Sequence, residues 1–134
     1  MQPRNRLASS DIHVVVVDDD PAVCDSLKFS LEVEGFAVRT YAQPQQLLNE
    51  AEIPACDCLV VDMNMPGMSG LDLVESLRSR KFRAPAILIT SDPYSELRAR
   101  AATAGVAIVE KPLLSGVLLD NIRQVTTRSR PHAS

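Results

Sequence analysis

The stretch VVVVDDDP, at residues 14–21, joins four branched apolar residues to three consecutive aspartates. A short run of β-branched residues is typical of a strand that is buried on both faces of a parallel sheet. Three carboxylates in succession repel one another, and they do so more strongly where water is scarce. The stretch therefore predicts a buried strand that ends at a site prepared for a positive charge.

Short apolar runs and amphipathic segments alternate along the rest of the chain. The runs predicted as strands are residues 14–17, 36–40, 58–61, 86–89 and 106–109. Between them, apolar residues recur at three- or four-residue spacing, which predicts five helices. Asp92 and Pro93 are interpreted as the N-cap and first-turn proline of the fourth helix, and Gly105 as its end. This order predicts an α/β fold with a parallel sheet covered on both faces.

Composition excludes several classes of function. The 134 residues carry 46% hydrophobic and 23% charged side chains, as expected of one globular domain. A net charge of −3 and the lack of Trp argue against direct nucleic-acid binding. There is no membrane-length apolar run or signal-peptide core, so a cytoplasmic location without membrane contact is expected. The three cysteines are then expected to be free and buried.

The residues that follow the predicted strands carry the candidate chemistry. In an open parallel sheet the carboxyl ends of the strands meet along one edge, where sites form. The residues at these ends are Asp18, Asp19, Asp20, Asp62, Thr90, Ser91, Glu110 and Lys111. Carboxylate and carbonyl oxygens suit Mg²⁺, while a lysine and a hydroxyl can bind phosphate oxygens. One carboxylate is then left as a nucleophile toward phosphorus, which would form an acyl phosphate.

Four fragments carry a family resemblance: VVVVDDDPAV, LVVDMNMPGMSGLDLV, AILITS and VEKP, at residues 14–23, 59–74, 86–91 and 109–112. In this order and spacing they resemble the receiver domains of bacterial two-component response regulators, the CheY-like family, with a FixJ-like character. The resemblance implies a flavodoxin-like (βα)5 fold with strand order 2-1-3-4-5. It places the receiver domain at residues 12–126, after an N-terminal tail at 1–11. Residues 127–134 would be a C-terminal tail or the start of a linker.

The resemblance also implies a role for each residue along the edge. The assigned residues are Asp62 as phosphoacceptor, Thr90 and Lys111 on the phosphoryl group, and Asp18, Asp19, Asp62 and the backbone carbonyl of Asn64 on Mg²⁺. Lys111–Pro112 would be a cis peptide bond. Gly70 would be a small residue where the chain turns tightly into the third helix.

A sensor histidine kinase is the partner that the resemblance implies. Phosphorylation would draw Thr90 inward and alter the face made by helix 4, strand 5 and helix 5, through which a homodimer could form. Arg98 and Arg100 are hypothesised to join that face. The basic residues after the third helix, Arg78, Arg80, Lys81 and Arg83, are interpreted as an exposed turn. The final residues RSRPHAS are either a linker toward a helix-turn-helix output domain or the end of a stand-alone receiver.

Two alternatives remain open. Ile108 stands three residues before Lys111, where many receivers carry Tyr or Phe, and it offers no phenolic hydroxyl. This departure favours a receiver-fold interaction module that works without phosphorylation. The second alternative is a small haloacid-dehalogenase-like phosphatase with its nucleophile among Asp18, Asp19 and Asp20. A short chain and an unexplained Asp62 loop argue against it.

Overall fold

The predicted alternation of strands and helices is confirmed in a computed structural model, which describes residues 12–111 and 116–129. The strands are β1 (His13–Val17), β2 (Ala37–Tyr41), β3 (Cys58–Asp62), β4 (Ala86–Thr90) and β5 (Val106–Glu110). The helices are α1 (Pro21–Val33), α2 (Pro44–Leu48), α3 (Gly70–Ser79), α4 (Ser95–Ala104) and α5 (Val117–Ser129).

The five strands form one parallel sheet in the order β2-β1-β3-β4-β5, as the family resemblance implied. Every residue of β3 and β4 is buried, because these inner strands are covered on both faces. The edge strand β2 is only partly buried and exposes Arg39 at its centre. The architecture is therefore the flavodoxin-like fold expected from the sequence.

The two faces of the sheet form separate apolar layers. Side chains of a strand alternate between faces, so Val15 and Val17 enter one layer while Val14 and Val16 enter the other. The first layer is closed by side chains of α2, α3 and α4, and the second by those of α1 and α5. Both layers hold the central strands firmly, which fixes the positions of the residues at their carboxyl ends.

Helix α4 begins later than the sequence predicted. The assignment of Asp92 as N-cap and Pro93 as first-turn residue is wrong, because the N-cap is Tyr94. The amide of Asp92 instead donates to Thr90 Oγ1 at 3.2 Å, and the amide of Tyr94 donates to the carbonyl of Asp92 at 3.0 Å. These contacts hold residues 91–94 as a loop. Gly105 does end the helix, in the left-handed conformation at φ 72°.

Helix α5 continues to Ser129, three residues past the boundary predicted after residue 126. Thr126 is buried, and its hydroxyl donates to the carbonyl of Ile122 at 2.8 Å, so the helix is still packed and regular at this point. The expected cis peptide at Pro112 and the segments 1–11 and 130–134 lie outside the described residues. Over the residues that are described, every helix is too short or too polar to cross a membrane.

Candidate functional site

Three aspartates lie together at the carboxyl edge of the sheet. Strands β1 and β3 are neighbours with Val17 opposite Val61, so the residues that follow them lie side by side. One carboxylate oxygen from each of Asp18, Asp19 and Asp62 lies within 4.8 Å of the other two. Asp18 and Asp62 are only 4% and 3% exposed, whereas Asp19 is exposed. Two carboxylates are thus held out of water while the third faces it.

Asp20, the last aspartate of the run, begins helix α1. Its side chain accepts a hydrogen bond from the amide of Ala22 at 3.0 Å, and Pro21 fills the first helical turn. The amide of Asp20 in turn donates to Asp18 Oδ1 at 2.9 Å. The helix cap therefore orients the Asp18 carboxylate within the site.

Lys111 brings a positive charge to the edge from the end of β5. Its Nζ lies 2.8 Å from Asp62 Oδ1, the distance of a close ion pair. Contact with Asp62 is the main cause that raises the pKa of Lys111; the Asp18 and Asp19 charges add to it, and desolvation opposes it. The ammonium of Lys111 therefore contacts Asp62 and also interacts electrostatically with Asp18 and Asp19.

The pKa of Asp18 is raised, chiefly by burial and to a smaller extent by the neighbouring carboxylates. Burial raises it above the ordinary value of 3.8, and the charges of Asp62 and Asp19 act in the same direction. The hydrogen bond from the Asp20 amide and the charge of Lys111 oppose that rise. The charged form of Asp18 is therefore disfavoured in the folded site, where three carboxylates lie beside one ammonium.

The aspartate cluster fits a divalent cation. Carboxylates are hard oxygen donors of the kind that Mg²⁺ prefers. The buried Asp62 carboxylate is contacted by Lys111 at one oxygen, Oδ1, and a carboxylate has further lone pairs that can bind an ion. Asp18, Asp19 and Asp62 could supply such ligands, and Asn64 is an exposed residue of the loop that follows Asp62.

Thr90 ends β4, the strand next to β3, and it is only 1% exposed. Ile89 pairs with Asp62 in the sheet register, so Thr90 lies one position beyond the level of Asp62. The Thr90 carbonyl accepts from the amide of Lys111 at 2.9 Å. Thr90 thus helps to position the residue whose ammonium reaches Asp62.

Gly70 allows helix α3 to begin directly against β3. A Cβ at this position would collide with the backbone oxygen of Asp62 and lie 2.8 Å from Val61 Cγ1 and 2.9 Å from Leu88 Cδ1. The sequence suggested a small residue for a tight turn, and the structure shows that close packing beneath Asp62 is the reason. Any larger side chain would displace the backbone that carries the Asp62 carboxylate.

Comparison with known proteins identifies the family. Residues 14–123 match the family model described as the response regulator receiver domain. The chain belongs to this family. It is 34% identical over 118 residues to the transcriptional regulatory protein FixJ of Rhizobium meliloti (strain 1021), which covers 87% of this chain and 58% of that protein.

Other relatives and solved structures agree with this membership. The C4-dicarboxylate transport transcriptional regulatory protein DctR of Rhodobacter capsulatus is 36% identical over 110 residues, covering 80% of this chain and 56% of that protein. A crystal structure named FixJ-N is 32% identical, with a TM-score of 0.80 over 91% of this chain and 98% of the other. The chain therefore spans a little over half the length of these curated relatives.

Two arginines have roles that the sequence did not reveal. Arg100, hypothesised to join the face of helix 4, strand 5 and helix 5, instead pairs with Asp72 and Glu75 of α3. Arg78, interpreted as part of an exposed turn, is half-buried and donates to three backbone carbonyls. The sequence contained part of the information about Arg100, because Asp72 and Glu75 are three residues apart and so form an acidic pair on one face of α3.

Proposed function

We propose that this chain is the phosphoacceptor receiver domain of a two-component system, phosphorylated on Asp62 by a histidine kinase in a Mg²⁺-dependent reaction. The supporting observation is the buried Asp62 carboxylate, which has Lys111 Nζ at 2.8 Å and two further carboxylates beside it. An Asp62 oxygen would attack the phosphorus of the donor, so that a new O–P bond forms. The bond from phosphorus to the donor breaks, and the donor leaves with that electron pair.

The residues around Asp62 would stabilise the transferring group. Asp18, Asp19, Asp62 and the backbone carbonyl of Asn64 are the proposed Mg²⁺ ligands, and the ion when bound supplies positive charge against phosphoryl oxygens. Lys111 would exchange its contact with the carboxylate for one with a phosphoryl oxygen. The same arrangement would serve hydrolysis of the acyl phosphate, with water as the acceptor.

Thr90 would convert the new charge into movement. Its Oγ1 accepts from the amide of Asp92, and its hydroxyl hydrogen has no acceptor among the described residues. A phosphoryl oxygen on Asp62 offers that acceptor, and the shift would pull the loop at residues 91–94 that leads into α4. Ile108 is partly buried against the layer beneath α4, so here the movement would pass through Thr90 and the loop without an aromatic partner.

Helix α1 offers a surface for the kinase. Ala22, Ser26, Phe29 and Val33 follow one another at spacings of four, three and four residues, the pattern by which helices pack together. Phe29 and Val33 are 70% and 66% exposed, although both are large and apolar. Exposed apolar patches of this kind mark interaction sites. The helix begins beside the aspartate cluster, which would bring a phosphohistidine on a helical partner near Asp62.

Acetyl phosphate tests the reaction without a kinase. In the presence of Mg²⁺, intact mass measurement should show the gain of one phosphoryl group on the wild-type chain and none on Asp62→Asn. Asp25→Asn is the matched control, because Asp25 lies exposed on α1 and should leave the gain unchanged. Chelation of Mg²⁺ should prevent the gain in the wild type and in Asp25→Asn.

The outcomes separate the alternatives. A phosphoryl gain that Asp62→Asn retains would contradict the proposal and point to another nucleophile, such as one in the run from Asp18 to Asp20. A well-folded wild type that gains nothing would favour an interaction module that works without phosphorylation.

A further inference from the structure

Helix α4 is weakly anchored along its length. It buries only Leu97 and Ala101, whereas α3 buries five residues over the same number of positions. Its N-cap residue, Tyr94, makes no side-chain capping hydrogen bond and is 48% exposed. A helix with few buried side chains and an uncapped start resists displacement poorly.

The C-terminal end of α4, in contrast, is fixed. Arg78 Nε donates to the carbonyl of Ala104 at 3.2 Å, and the Nη1 of the same guanidinium donates to Phe82 and Ala84 at 3.0 and 2.8 Å. These bonds join the end of α4 to α3 and to the chain that enters β4. A displacement of α4 would therefore move its N-terminal end, which follows the loop from Thr90, more than its C-terminal end.

Between these ends, one arginine of α4 forms ion pairs with two carboxylates of α3. Arg100 Nη2 lies 2.7 Å from Glu75 Oε1 and 3.3 Å from Asp72 Oδ1. Both carboxylates belong to α3, which is fixed to the sheet by fully buried side chains such as Leu71 and Leu77. One guanidinium nitrogen contacts both carboxylates at the separation that α4 and α3 have here, and a displacement of α4 away from α3 would lengthen both distances.

We propose that Arg100 is a latch that holds α4 in its unphosphorylated position and so lowers the affinity of the Asp62 site for a phosphoryl group. This inference rests on the proposed function. In this proposal, the contact of Arg100 with Glu75 and Asp72 is lost when the phosphoryl group moves α4. By linkage, it weakens phosphoryl binding by the same factor with which it favours the resting position.

The size of the effect follows from the exposure of the ion pairs. Arg100 and its two partners have side chains that are 44–52% exposed, so salt and solvent screen them. Exposed pairs of this kind shift an equilibrium by about two- to fivefold. The latch should therefore act as a modest bias on the switch, and it should weaken as the salt concentration rises.

Beryllofluoride, a phosphoryl mimic, tests the latch on the full chain. With Mg²⁺ at low salt, the dissociation constant measured by calorimetry should fall about two- to fivefold in Arg100→Ala relative to the wild type. Arg98→Ala is the matched control, because Arg98 is an exposed arginine on the same helix for which the described residues provide no partner. The paired exchange of Arg100→Glu with Glu75→Arg re-forms the contact with position 75 but opposes Asp72, so its dissociation constant should lie between those of Arg100→Ala and the wild type.

Hydrogen exchange supplies a readout that does not depend on binding. Without beryllofluoride, the amides of α4 should exchange faster in Arg100→Ala than in the wild type or Arg98→Ala. Equal dissociation constants in wild type and Arg100→Ala, or weaker binding by the variant, would overturn the latch. A wild type that fails to bind beryllofluoride would count against the proposed function instead, and exchange at α4 would still decide whether Arg100 restrains the helix.

Discussion

The two ends of the sheet differ in how completely their polar groups are paired. At the carboxyl end, the buried Asp18 and Asp62 lie close to the exposed Asp19, and Lys111 is the cation that contacts Asp62. At the amino end, the half-buried Arg78 donates to three carbonyls, and Asp57 accepts from the amide of His13 at 2.8 Å. Three carboxylates beside one ammonium leave an excess of negative charge at the carboxyl end, which suits a cationic ligand, whereas the hydrogen-bonded groups of the amino end form a frame.

The largest change in stability is expected at the amino end. Replacement by Arg78→Met removes three hydrogen bonds and leaves their carbonyls without that partner, which should lower the free energy of unfolding by about 3 kcal/mol. Urea unfolding measures the loss. Labelling by acetyl phosphate should persist in the fraction that stays folded, because Arg78 lies at the opposite end of α3 from Asp62.

Arg83→Met is the control for this comparison, since Arg83 is a nearby exposed arginine, and it should change stability by no more than about 0.5 kcal/mol. If Arg78→Met proved as stable as Arg83→Met, the amino end would not be the frame described here.

A change of opposite sign is expected at the carboxyl end. Asp18→Asn removes one of two crowded, buried charges, and its amide oxygen can still accept from the Asp20 amide. The metal-free protein should become more stable by about 1–2 kcal/mol. The wild type should be stabilised by added Mg²⁺ far more than the variant, since the variant loses a proposed ligand. Thermal unfolding with and without Mg²⁺ measures both effects.

The pH profile of this variant provides its own check. The pKa of Asp18 is raised above 3.8 in the folded state, so the folded protein holds that proton at pH values where the unfolded chain has lost it. The contribution of Asp18 to stability therefore falls as the pH rises from about 3.8 through the raised folded pKa. The advantage of Asp18→Asn should be small below this window and should grow across it. An advantage that shrinks as the pH rises would contradict the crowding.

Much of this architecture could be predicted from the sequence. Unbroken apolar runs such as residues 58–61 and 86–89 indicate inner strands, because only a strand covered on both faces tolerates them. Since parallel strands end at one edge, the meeting of Asp18, Asp62 and Lys111 followed from their places after three runs. The parallel direction of the strands followed from their alternation with helices, and the strand order followed from the family resemblance. No side-chain detail was needed.

The errors have a common origin in specific side-chain hydrogen bonds and ion pairs that helix patterns in the sequence do not show. The Asp92–Pro93 pair is a good local helix signal, yet the Thr90 side chain captures the Asp92 amide and delays the helix. Arg78 reaches Ala104 across 26 residues, and Arg100 reaches Glu75 across 25. No local periodicity shows where a long, flexible side chain finds its partner. The contact of Arg100 with α3 could therefore not be predicted until the positions of the two helices were known.

Helix α1 runs between the two ends, and its exposed stripe gives the smallest expected effect on the domain itself. Phe29→Glu should change the free energy of unfolding by no more than about 0.5 kcal/mol, because Phe29 is already 70% exposed. Labelling by acetyl phosphate should be unchanged, since the aspartate cluster is untouched. Transfer from a histidine kinase that phosphorylates the wild type should slow by about tenfold or more, as for an anchor residue of an interface.

Phe29→Glu is informative because it is tested with two phosphoryl donors, acetyl phosphate and the histidine kinase. A loss with both donors would mean that Phe29→Glu disturbs the site, and a loss with neither would remove α1 from the proposed kinase surface. Glu52→Gln, at an exposed position outside α1, should behave as the wild type with both donors. Only a loss confined to the kinase separates recognition by α1 from the chemistry at Asp62, because the small donor meets the same carboxylates and the same Lys111 without touching the helix.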